Sequence, residues 1–79
     1  MKLYEGEIGK IYVVRSVLVE EAITRRLVAL GVNEKTPVMV LNKKKSGTMI
    51  IKVRGTRLAL GSRITGGIDV EGAGGDEKE

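Results

Sequence analysis

Residues 38–60 read VMVLNKKKSGTMIIKVRGTRLAL, and their hydrophobic period is two: Val38 and Val40 share one face, Met39 and Leu41 the other. Beyond the polar tip NKKKSG, Ile51 and Val53 alternate against Lys52 and Arg54. The pattern predicts a hairpin with a long tip. Gly55 breaks the second arm, after which Leu58 and Leu60 alternate in a further short strand. Working outward, the stretch 8–17 contains Ile11, Tyr12, Val13 and Val14 in succession, as expected of a first strand buried on more than one side. Ile68 and Val70 make a last strand after the Gly66-Gly67 pair, which reads as a turn. The period changes only over 20–30, where Ile23, Leu27 and Leu30 fall at i, i+4 and i+7 while Glu20, Glu21, Arg25 and Arg26 take the opposite side. That is an amphipathic helix. Its acidic first turn suits the helix dipole, and Gly31 suits a left-handed C-cap. Short strands at regular spacing with one helix after the first predict a single, mainly β domain, a small and strongly bent β-barrel or sandwich. Leu27, Val53 and Leu58 are its expected core markers.

The chain has 79 residues, of which 42% are hydrophobic, and no internal repeat or second domain is visible in it. A core this small spares no room for a large catalytic cavity. With no Cys and no His, a thiol enzyme, a histidine general base, a zinc finger and an iron–sulfur protein are excluded. Ser16, Ser46 and Ser62 have no histidine to activate them, and the eleven glycines form neither GxxxxGK[ST] nor a GxGxxG between strand and helix. The acidic residues are scattered, without the spacing of a calcium loop. No catalytic residue, cofactor or resident metal is therefore expected. The opening MKLYEGEIGK carries acidic residues and glycines where a signal peptide needs an apolar run, and no stretch approaches a bilayer span, so a soluble, cytosolic chain is expected.

Net charge is +4, but the segment 71–79 holds Glu71, Asp76, Glu77 and Glu79 against Lys78, so it carries −3 and residues 1–70 carry +7. The expected division is a globular domain over 1–70 and an acidic, Gly-rich disordered tail over 71–79. A basic body attracts nucleic acid, anionic lipid or an acidic protein face. Small barrels that bind nucleic acid add aromatic stacking platforms, and two tyrosines with no Phe or Trp argue against that use. Lys43, Lys44 and Lys45 read first as a solvated loop tip, with a phosphate or acidic-partner contact as the alternative. More specific is the outer face of the hairpin, where pleat alternation turns Met39, Leu41 and Ile50 outward beside Lys52 and Arg54. A small apolar stripe rimmed by cations results, covered either by the chain itself or by a protein partner. For a partner, Met39, Leu41 and Ile50 form the expected centre, with Arg25 and Arg54 able to make charge-assisted contacts at the rim.

RRLVALGV at 25–32, TPVMVL at 36–41, KVRGTRLALG at 52–61 and the final Ile68-x-Val70 resemble, in this order and spacing, the FeoA family of ferrous iron transport. The match runs from Leu3 to Val70. The resemblance implies an SH3-like barrel of five or six short strands with a helix inserted after the first. It also implies an accessory protein, with no catalytic residues to carry over, that binds the GTPase-bearing region of the membrane iron permease, FeoB, at the cytosolic face. Related domains terminate some iron-dependent repressors, so a nucleic-acid-binding or repressor-associated module is the alternative. Two departures stand out: Glu34-Lys35 where the family has a Pro-Gly turn, and 62–67 with two glycines where the family has a short helix. Both segments are expected to be remodelled.

Overall fold

In the computed structural model, which describes residues 1–72, a 3-10 turn (Leu3–Glu5) precedes β1 (Ile11–Val17), α1 (Glu21–Ala29), β2 (Pro37–Lys43), β3 (Met49–Val53), β4 (Thr56–Leu60), α2 (Ser62–Thr65) and β5 (Ile68–Gly72). All five strands join one antiparallel sheet in the order β4-β3-β2-β1-β5. The first strand starts three residues later than its composition suggests. Ile8 lies in the turn before it, 56% exposed, and Lys10 N–H closes that turn on the Glu7 carbonyl at 3.2 Å.

The hairpin has the expected sidedness: Val38, Val40, Met49, Ile51 and Val53 are buried, while Met39, Leu41 and Ile50 are half-buried on the other face. Between Val40 and Asn42 the register shifts against Ile51 and Ile50, which leaves Leu41 as the extra residue of a bulge. The link from β3 to β4 is a two-residue turn with φ +52 at Arg54 and +83 at Gly55, the double positive φ of a type I′ turn. Arg54 therefore sits in a turn and not on the strand beside Lys52, as simple alternation placed it. Its side chain reaches back over the end of α1, where a Cβ on Gly31 would lie 2.7 Å from its Cδ.

Helix α1 ends as its sequence dictates. Gly31 has φ +99, its N–H bonds the Val28 carbonyl at 3.0 Å, and Val32 N–H bonds the Leu27 carbonyl at 2.8 Å, the paired bonds of a Schellman cap. The residue after the glycine, Val32, is buried in the core. From the helix only Leu27 is fully buried; Ile23 packs partly against the core, and Val28 and Leu30 remain about half exposed. The core around Leu27 comprises Leu3, Tyr12, Val14, Val32, the inward residues of the hairpin, Leu60, Ile68 and Val70. Leu58, expected inside it, is only partly buried because β4 is an edge strand.

Segment 62–67 corrects the sequence reading. Its glycines lower helix propensity but do not interrupt α2, because they fall outside Ser62–Thr65, with Gly61 at its N-cap and Gly66 at its C-cap. Thr65 is buried, and its hydroxyl donates to the Ser62 carbonyl at 3.2 Å. Gly67 then passes hard against the end of β1: Leu18 N–H bonds its carbonyl at 2.6 Å, and an added Cβ would lie 2.5 Å from both the Leu18 carbonyl oxygen and Val19 Cγ1. Gly67→Ala is therefore expected to cost about 1–3 kcal/mol through overpacking against backbone, read as a lower urea midpoint at unchanged m-value. An unchanged midpoint would show that this crossing has slack.

The strand β5 extends two residues beyond the expected domain end, since Glu71 and Gly72 pair with Val13 and Tyr12. The remainder of the expected tail, 73–79, lies outside the described residues.

Candidate docking surface

On the outer face of the sheet, cross-strand pairing aligns Ile11, Met39, Lys52 and Arg57 in one row across β1, β2, β3 and β4. The next row holds Asn42, Ile50 and Ala59. Ile11, Pro37, Met39, Lys52, Arg54 and Gly55 surround an open depression of about 280 Å³. Of the five expected contact residues, the structure thus brings Met39 and Arg54 to one depression. Ile50 lies one row away on the same face, and Leu41 sits in the bulge beside it. Arg25 does not join them: it lies on the solvent side of α1, its Nη2 2.9 Å from Glu21 Oε2. The reason is topological, because α1 contributes its Leu27 stripe to the core and so turns Arg25 away from the sheet.

The hairpin-tip lysines are exposed, and Lys43 and Lys44 line a second depression of about 380 Å³ together with Tyr4, Thr48, Met49 and Ser62. A third feature escaped the sequence reading. A groove of about 240 Å³ runs between α1 and β4, with Ile23, Leu27 and Leu30 on one wall, Leu58, Ala59 and Leu60 on the other, and Ile64 at its end. Its trace in the sequence is the apolar stripe of Ile23, Leu27 and Leu30 on α1, of which only Leu27 is buried.

The charges around these features fall into two groups. Lys10 pairs with Glu7, Arg15 with Glu71 and Arg25 with Glu21, all exposed pairs that each contribute about 0–1 kcal/mol. Lys52 across from Met39, Arg57 on the next strand, Arg54 over Gly31, Arg26 on α1 and Arg63 on α2 have no ion-pair partner among the described residues. Cations are thus available where apolar side chains are exposed. Among the described residues no group of three or more His, Cys, Asp or Glu could hold a metal ion, and no helix is long and apolar enough to cross a membrane. The carboxylates of Glu5, Glu7 and Glu21 are already engaged by Lys2 N–H, Lys10 and Arg25. Anaerobic calorimetry with ferrous ion at neutral pH is expected to show only weak binding. A stoichiometric micromolar site would overturn that expectation and direct attention to Glu5, Glu7, Glu20 and Glu21.

A five-stranded antiparallel sheet curled over one core, with a single helix after the first strand, is an SH3-like module. Comparison narrows the class to a family: residues 1–72 match the FeoA domain, and the chain belongs to the FeoA family. The solution structure of a FeoA protein from Chlorobium tepidum is 32% identical, with a TM-score of 0.89 over 100% of this chain and 76% of that one. FeoA of Stenotrophomonas maltophilia, a zinc complex described as a prokaryotic SH3-domain protein and a candidate ferrous iron transport activating factor, is 30% identical. Its TM-score is 0.78, with 90% of this chain and 89% of that one covered. A manganese-dependent transcriptional repressor shares the fold at a TM-score of 0.84 and 17% identity, over 92% of this chain and 41% of that one. The comparison with curated proteins returns no match.

Proposed function

We propose that this protein is a cytoplasmic accessory subunit of ferrous iron transport, which docks on the GTPase-bearing soluble region of a FeoB-type permease at the inner face of the membrane and modulates uptake. The observation that carries this reading is the FeoA-domain match over the whole described chain. The half-buried apolar residues beside cations that have no ion-pair partner among the described residues support it physically, because a small module acts through the surfaces it presents. Titrating the labelled protein with the soluble region of the permease from the same genome is expected to give saturable binding. Absence of binding up to the solubility limit would overturn it. The alternative, a nucleic-acid-binding or repressor-associated module, draws on the fold shared with the manganese-dependent repressor and on the basic body. It would take precedence if DNA bound with affinity falling log-linearly and steeply with salt.

A further inference from the structure

The sheet has two edges, and the described residues cover only one. Along β5, Val70 N–H bonds the Met1 carbonyl at 2.7 Å, the Met1 amino group bonds the Val70 carbonyl at 3.1 Å, and Lys2 bridges Asp69. Strand β4 has nothing equivalent among the described residues. Because Val53 and Thr56 close the two-residue turn as a hydrogen-bonded pair, the alternation of an antiparallel ladder makes Lys52–Arg57 and Ile50–Ala59 non-bonded pairs. The N–H and C=O groups of Arg57 and Ala59 therefore point away from β3, and among the described residues no backbone or side-chain group bonds them. They lie two residues, or about 7 Å, apart on one line.

What lies beside this line defines what it takes. The α1–β4 groove is on the inner side, with Leu58 and Leu60 of β4 facing Leu27 and Ile64. On the outer side of the same strand stand Arg57 and, across from it, Lys52. We propose that the β4 edge is a strand-addition site for an extended segment of a partner protein in which apolar and acidic residues alternate. Its backbone pairs with Arg57 and Ala59, its apolar side chains enter the groove, and its carboxylates meet Arg57 and Lys52, with Arg26 at the groove wall attracting the same charge. A second copy of this chain fits poorly, since β4 paired with itself gathers two Arg57 and two Lys52 on one face. The site shares Lys52 with the rim of the Met39 depression, but its groove and strand edge lie outside that depression, and it needs no assumption about the permease.

The test uses the full chain and an acetylated eight-residue peptide of alternating glutamate and valine. Amide shifts are expected at Arg57 and Ala59 and along the groove, and a lysine–valine counterpart should not bind. Ala59→Pro removes one outward N–H at a position where an edge strand tolerates proline, and should weaken binding about tenfold or more. Two peptides N-methylated on either alternate set of amides keep every side chain, so they decide the question even if the proline variant does not fold. One of the two should lose binding. Equal binding of both methylated peptides, equal binding of the lysine–valine peptide, shifts confined to the Met39 face or the lysine tip, or no binding at millimolar peptide would each overturn the proposal.

Discussion

Replacing Leu27 by alanine is expected to lower the unfolding free energy by about 2–5 kcal/mol, a large share of the roughly 4–12 kcal/mol available to a chain of this length. Leu27 is 3% exposed and is the one residue of α1 that is fully buried, so the helix is held to the sheet mainly through it. Its loss opens a cavity next to the α1–β4 groove, where water enters from the open side and limits collapse of the surroundings. Val28→Ala, one residue along and 48% exposed, should change stability by no more than about 0.5 kcal/mol. Urea unfolding of the pair provides the measurement. A Leu27→Ala midpoint indistinguishable from wild type would mean that α1 is anchored by its caps and not by its packing.

The contrast between Leu27 and Leu58 also shows what the sequence could convey. Both are apolar residues on the inward side of a periodic element, and periodicity cannot tell that one element is central and the other an edge. Strand order is decided by pairings distant along the chain, such as Val14 with Val70, which no local pattern encodes. Local chemistry was legible where one residue type has one use: Gly31 ends α1, and the alternation over 38–41 and 49–53 sets which side of the hairpin is buried. It was misleading where a residue departs from the usual choice. A type I′ turn favours Asn-Gly, and here Arg54-Gly55 fills it, so alternation alone places Arg54 at the end of a strand. The low helix propensity of Gly66 and Gly67 suggests a remodelled segment, whereas they only flank α2. For the docking surface, alternation identified the face bearing Met39, Leu41 and Ile50, whereas placing Arg25 with them required knowing where α1 lies across the sheet.

Met39→Glu is expected to abolish docking on the permease while leaving the fold intact, a prediction that rests on the proposed function. Met39 is half-buried and stands directly across from Lys52, so a carboxylate at this position has a cation beside it in the free protein and destabilises it little. When a partner covers the depression formed with Ile11 and Pro37, the same carboxylate loses its water and cannot be matched by an apolar contact. Ile50→Glu has Asn42 and Ala59 opposite it and no cation, so it should block docking too but with a larger loss of thermal stability. Replacing Lys43, Lys44 and Lys45 by alanine is expected to act differently, lowering the association rate and flattening its salt dependence while the dissociation rate stays nearly constant, because exposed charges at a loop tip steer encounter and are not desolvated in the complex. Surface-plasmon measurements at two ionic strengths separate these outcomes. If the lysine substitutions raise the dissociation rate while Met39→Glu binds normally, the partner sits on the hairpin tip, around the depression shared by Tyr4, Lys43 and Lys44, and the Met39 face is not the docking surface.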